Sequence, residues 1–167
     1  MTEAEIQRAI AWQYKWWSNI IVPNVFLPGR ATEMDVALLT PAGALWEFEI
    51  KRTMSDWRAE RLKRKQYDKL VACRSFHVVL GSLLKLSCWQ DFHSKKDNIA
   101  IPDHVPPTHG VLAVFKDHPY STFTVRRPKA NRGEYDHEKV RQAMTVALGR
   151  RYWKWRALPH PEECLHG

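Results

Sequence analysis

The chain has 167 residues and a mass of 19.6 kDa, the size of a single domain whose core can hold without disulfide staples. Lys plus Arg is 26 and Asp plus Glu is 18, so the formal charge is +8, which suits an acidic partner such as nucleic acid and says nothing about fold. Hydrophobic residues at 44% argue against a disordered chain, no apolar run approaches the roughly 20 residues of a spanning helix, and three scattered cysteines (Cys73, Cys88, Cys164) argue against a disulfide scaffold.

The first residues, MTEAEIQR, lack the basic start and apolar stretch of a signal peptide, which predicts a soluble cytosolic domain. Residues 2–17 read as a helix, with Ile6, Ile10, Tyr14 and Trp17 on one face and Thr2-x-x-Glu5 as a capping box. The two prolines and the glycine of 22–30 predict a loop. MDVALLT (34–40) and LWEFEIK (45–51) flank a Pro/Gly turn and predict a β-hairpin. In the second strand Trp46, Phe48 and Ile50 alternate with Glu47, Glu49 and Lys51, so apolar and charged side chains take opposite faces. Residues 53–73 read as a basic helix capped by Thr53 or Ser55, with Ala59, Leu62, Leu70 and Cys73 as its buried side. Strands follow at 76–80, 110–115 and 121–127, and a closing helix at 136–155; 81–109 carries no clear period. Residues 157–167 read as a flexible tail. The order predicts an α/β (α+β) fold, a mixed central sheet of about five strands with helices packed on it.

Asp35 and the triplet Glu49-Ile50-Lys51 carry the clearest chemistry. Phosphodiester hydrolysis needs an activated water and relief of negative charge, and a hard divalent cation held by oxygen ligands supplies both. A hairpin in register brings Asp35 and Glu49, on strands ~5 Å apart, to one Mg²⁺ or Mn²⁺ ion. The Ile50 carbonyl is a further candidate ligand, and Glu47 could hold a second ion or a metal-bound water. Lys51 falls on the same face as Glu49, roughly 7 Å along, where an ammonium can orient the water or help its deprotonation and offset developing negative charge. The plainer alternative is a solvated strand face bearing ordinary cross-strand charge pairs.

Asp35…Glu49-x-Lys51 resembles the signature of the PD-(D/E)XK nuclease superfamily. The longer stretch Glu33-Met34-Asp35, Trp46–Lys51 and Met54-Ser55-Asp56-Trp57 resembles its MmcB-like and phage-encoded branch, as do the 76–80 strand and Pro107-x-x-Gly110. Met34 stands where the family usually has Pro, and 64–67 matches its helix end only loosely. The resemblance implies an αβββαβ core over residues 2–128. It implies metal-dependent DNA endonuclease activity in repair, recombination or phage DNA processing, inside a bacterial or phage-infected cell at the nucleoid. Asp35 and Glu49 would then be ligands and Lys51 the catalytic lysine. It also implies an acidic residue on the first helix, Glu5 in preference to Glu3. A homodimer would suit double-strand scission. The alternative from another class is a nuclease-fold DNA-binding module, non-catalytic or active only with a partner.

Around this segment Arg52, Arg58, Arg61, Lys65 and Lys69 are candidate phosphate contacts, Arg58, Arg61 and Lys65 sharing a stripe. The run Arg150–Arg156 mixes cations and aromatics but reads better as a helix packing its tryptophans inward, as do Trp12, Trp16 and Trp17. His77 reads as a core histidine; His104, His109, His160 and His166 read as surface residues without zinc spacing.

Overall fold

A computed structural model describes residues 1–30, 32–63, 72–133 and 135–156, with side chains left out at 60–63 and 151–156. Among the described residues a six-stranded mixed sheet runs in sequence order, β1 (Ile20–Val25), β2 (Met34–Leu39), β3 (Leu45–Lys51), β4 (Arg74–Leu80), β5 (Gly110–Phe115) and β6 (His118–Arg126). The pairs β1–β2, β2–β3 and β5–β6 are antiparallel, whereas β3–β4 and β4–β5 are parallel. Two parallel pairs require two crossovers. Helix α2 (Met54–Lys63) lies in the first, and α3 (Trp89–Lys95) in the second.

The sheet has a sixth strand among the described residues because β1 extends to Val25, into the predicted 22–30 loop. Pro23 has no N–H to give, yet β1 is an edge strand with β2 as its single neighbour, where proline is tolerated. The loop starts only afterwards. Pro28-Gly29 forms a type II turn, with Gly29 at φ +84° and the Arg30 N–H donating to the Leu27 carbonyl at 3.1 Å.

Helix α1 (Glu3–Gln13) starts with the expected capping box: Thr2 Oγ1 accepts from the Glu5 amide at 3.3 Å and the Glu5 carboxylate from the Thr2 amide at 2.6 Å. It ends earlier than predicted, since Lys15 is left-handed at φ +53°. Ile6 and Ile10 are fully buried and Tyr14 packs beside them, but Trp17 falls past the helix and is exposed. This helix covers one sheet face with Val36, Leu38, Phe48, Ile50, Phe76, Val78, Leu112 and Val114. Phe48 and Phe76, opposite each other in register, stack at 4.9 Å.

The other face carries two separate apolar clusters. Helix α4 (His137–Arg156) sets Val140 and Met144 over Ala37, Leu39 and Leu45. Asp136 caps it, accepting from the Glu138 and Lys139 amides. Trp57 of α2 joins Val79, Phe92, Val111, Ala113 and Phe115 in the second cluster. Thr53 is the α2 cap, its hydroxyl accepting from the Asp56 amide at 3.1 Å. The basic helix does not reach residue 73: Ala72 and Cys73 are non-helical, and the Cys73 amide donates to the Leu45 carbonyl. Leu70 lies outside the described residues, and the Leu62 side chain is likewise undescribed.

Candidate active site

The strand positions of β2 and β3 bring the predicted carboxylates together. Their ladder runs from Leu39↔Leu45 to Val36↔Phe48. Continuing it by one pair sets Asp35 opposite Glu49. There the backbone pairing stops, and the Asp35 carboxylate takes over as acceptor for the Ile50 N–H, at 2.7 Å from Oδ2. The neighbouring ladders continue past this level, to Val25↔Met34 on one side and Lys51↔Val79 on the other. The result is a notch in the sheet between β2 and β3, lined by carboxylates.

The charged face of β3 is not a solvated one. Lys51 and Glu47 are buried and Glu49 is half-buried. Lys51 Nζ lies 3.1 Å from Glu49 Oε2. Burial pushes the Asp35 carboxyl up from 3.8 to about 6, against the pull of the Ile50 N–H; the Glu49 charge raises it further and Lys51 lowers it. Burial pushes Glu47 from 4.5 to about 7, Arg30 opposing this and Glu49 and Asp35 adding to it. The Glu49 charge thus makes ionisation of both Asp35 and Glu47 costlier, and Asp35 adds to the cost at Glu47.

Glu47 pairs with Arg30, a residue that sequence reasoning missed. The Arg30 guanidinium donates to Glu47 Oε1, with both side chains almost fully covered, and its Nε lies 3.3 Å from the Thr32 hydroxyl. The available cue was the Pro28-Gly29 turn just before it, which turns the chain from β1 back toward the sheet. Glu47 is therefore held as the partner of a buried guanidinium.

At the N-terminal end of α1 the acidic residue that reaches toward Asp35 is Glu3. The Gln7 amide donates to Glu3 Oε1 at 3.1 Å and to the Asp35 carbonyl at 3.2 Å, and lies 2.8 Å from the Asn24 amide oxygen. The Glu3 charge contributes to the upward push on Asp35. Glu5 is exposed and engaged in the capping box, which holds its carboxyl below the ordinary value. Asn24 sits opposite Asp35 in the β1–β2 register with φ +49°, a conformation asparagine adopts more readily than most residues.

On the other side Glu49 faces His77 across the parallel β3–β4 pair. His77 is buried as expected. Its Nδ1 accepts from the Trp57 indole N–H at 2.9 Å, so that nitrogen carries no proton, and its Nε2 lies 3.0 Å from His109 Nδ1. His109 and His104 are not surface residues: both are half-buried, His109 on His77 and His104 edge-on to Trp57 at 5.6 Å. The reason is the return of 99–109 over the α2 crossover, which no period announced. His160 and His166 lie outside the described residues.

Arg52 and Arg58 are exposed beside the C-terminal end of β3. Arg61 falls on α2 with its side chain undescribed, and Lys65 and Lys69 lie outside the described residues. Among the described residues no three His, Cys, Asp or Glu side chains form a ready metal cage, and no helix is long and apolar enough to cross a membrane.

No family model matches the chain, and no curated protein matches it. Among solved structures the chain is similar to a protein of unknown function from Silicibacter pomeroyi, with a TM-score of 0.64 and 21% identity over 91% of this chain and 89% of that one. At that identity the likeness concerns the fold alone.

Proposed function

We propose that the protein is a Mg²⁺- or Mn²⁺-dependent DNA endonuclease of the PD-(D/E)XK type, with its site in the β2–β3 notch. One observation carries the reading: Asp35 and Glu49 fall opposite each other where the ladder ends, with Lys51 two residues on and 3.1 Å from Glu49. Burying carboxylates together is costly, and a cation relieves that cost.

The donor set fits a hard cation that keeps most of its waters. Magnesium is commonly held by one or two carboxylates, with substrate phosphate completing its shell. Asp35 and Glu49 would supply the carboxylates and the Ile50 carbonyl a further oxygen. When bound, the ion would lower the pKa of a coordinated water and offset charge on the phosphate. Lys51 donates hydrogen bonds to the attacking water and, once released from Glu49, balances charge developing on the phosphoryl oxygens. Arg30, locked by Glu47, holds a fixed positive charge beside the carboxylates. Arg52 and Arg58 contact flanking phosphates without reading sequence. The preference for DNA rests on the sequence resemblance.

The test is cleavage of labelled single-stranded, duplex and branched DNA with Mg²⁺, Mn²⁺ or EDTA, wild type beside Lys51→Ala. The proposal expects metal-dependent cuts from the wild type that the variant lacks. Binding without cleavage by both proteins, indifferent to metal, would instead favour the non-catalytic DNA-binding module. In that case the Lys51–Glu49 pair is purely structural.

A further inference from the structure

We propose that the turn closing α1 is a stacking platform for unpaired bases of a single-stranded nucleic acid, built from Trp12, Trp16 and Trp17 with Lys15 as its phosphate contact. The proposal rests on the nucleic-acid reading above for the kind of partner, and adds a second contact region outside the notch.

The tryptophans were expected to pack on the sheet. Instead Trp16 and Trp17 are 45% and 57% exposed, while Trp12 is half-buried. Large aromatic rings normally go to burial, so two neighbouring exposed indoles are a costly surface. The exposure of Trp16 and Trp17 leaves part of each of these two rings open to solvent. Trp16 and Trp17 meet at 6.1 Å with 83° between planes, and Trp12 and Trp17 at 5.8 Å with 66°. In an edge-to-face pair the ring that presents its edge keeps its faces free of that partner. A base stacks on such a face whatever its identity.

The platform is rigidly tied. The Lys15 amide donates to the Trp12 carbonyl at 3.2 Å and the Trp16 amide to the Ala11 carbonyl at 3.0 Å, the two bonds of a Schellman motif. The Ser18 and Asn19 amides both reach the Lys15 carbonyl, and the Asn19 side chain donates to the Tyr14 carbonyl at 2.7 Å. In that motif the left-handed position normally holds glycine. Here it holds Lys15, at φ +53° and exposed. A lysine where glycine is favoured is strained locally and adds charge next to the rings.

Charge complementarity selects the occupant. No Asp or Glu lies between Glu5 and Glu33, whereas Arg8 and Lys15, on the helix and its closing turn, do. Arg74 adds a cation close by, 4.7 Å over the Trp46 ring, which itself packs on Tyr14 of the same turn. Open aromatic faces interleaved with cations suit a polyanion that offers bases, and a duplex offers none on its outside. The platform closes the C-terminal end of α1, whose N-terminal end carries Glu3, the acidic residue near Asp35.

The experiment measures binding by the full chain in EDTA, so that no cleavage occurs. The probe is a labelled oligothymidine of about sixteen nucleotides, beside a duplex of the same length. The doubly substituted Trp16→Ala, Trp17→Ala protein should lose about tenfold or more in single-strand affinity with little change on duplex. Lys15→Gly should unfold no more easily than the wild type, yet bind the single strand more weakly with a flatter salt dependence. Unchanged single-strand affinity in both variants overturns the proposal, as does an equal loss on duplex. It is also overturned if the tryptophans drive self-association in sedimentation, or binding to phosphatidylglycerol vesicles in place of the oligonucleotide. A protein that binds in this way but never cleaves leaves the platform standing and removes only the nuclease reading.

Discussion

Asp35 accepts the Ile50 amide hydrogen at 2.7 Å where the backbone ladder between their strands has ended. A side chain thus does what a carbonyl does elsewhere in the sheet. The strands part without leaving an orphan N–H, and the carboxylate is fixed against β3. The bond also favours the ionised carboxyl, yet burial and Glu49 outweigh it.

That imbalance sets a pH dependence. Asp35 stands at about 6 and Glu47 at about 7, both above their ordinary values. Between roughly pH 4 and 7 the folded protein therefore holds protons that the unfolded chain has released, and stability falls as pH rises through that window. Urea unfolding of the metal-free protein should show this loss from pH 5 to pH 8. Asp35→Asn keeps an acceptor for the Ile50 N–H and removes the charge. It should flatten part of the slope and stabilise the metal-free protein by about 1–2 kcal/mol at pH 8. A slope unchanged by the substitution contradicts the electrostatic account.

The Arg30–Glu47 pair predicts strong non-additivity. Glu47→Leu alone leaves a buried guanidinium without its carboxylate, and should cost about 3–5 kcal/mol in chemical unfolding. Glu47→Leu combined with Arg30→Met removes both charges and should recover most of that loss. Activity should not recover with it, because the positive charge beside the notch is gone. Additive stability losses would show that the two side chains do not act as a pair.

Cation binding should be visible without turnover. Mn²⁺ at a hundred times its dissociation constant stabilises a protein that binds it only when folded by about 2.7 kcal/mol. The wild type should show such a shift in thermal unfolding. Glu49→Gln should lose most of it while remaining folded. An equal Mn²⁺ shift in both proteins places the ion elsewhere.

Trp57 anchors α2 beside the site through both its ring and its N–H. Trp57→Phe keeps much of the ring and leaves His77 Nδ1 without its donor, at a cost of about 1–3 kcal/mol. Trp57→Ala also opens a cavity and should cost about 3–5 kcal/mol. A Trp57→Phe protein as stable as the wild type would show that the indole hydrogen bond carries no net stability.

The hairpin and its site were readable because their signals are local. Alternation in LWEFEIK assigned the two faces of β3, and the Thr40–Gly43 turn, closed by the Gly43 amide on the Thr40 carbonyl at 2.9 Å, set the register that leaves Asp35 opposite Glu49 one step past the end of the ladder. The capping box at Thr2 and Glu5 was equally local. What stayed hidden depends on distant neighbours. Pro23 reads as a breaker, and only its place at the sheet edge lets it be a strand residue. The face of Glu47, Glu49 and Lys51 looks solvated by period alone, but α4 and Trp57 build apolar clusters on either side of it. Arg30 meets Glu47 only after β1 returns to the sheet. Glu3 replaces Glu5 as the residue near Asp35 because Gln7, one turn on, links it to the strand. The helix end at Lys15, which exposes Trp16 and Trp17, follows from a left-handed lysine that no propensity rule favours.

The most direct test of the central claim is the rate of phosphodiester cleavage at saturating Mn²⁺, measured for wild type and Lys51→Ala with folding verified for both. Removing a group that positions the attacking water and balances charge on the phosphoryl oxygens should slow cleavage by about a hundredfold or more. Metal-dependent cleavage by the wild type and its loss in the variant is the predicted result. Equal rates in the two proteins, or no cleavage of any DNA by the folded wild type, would contradict it.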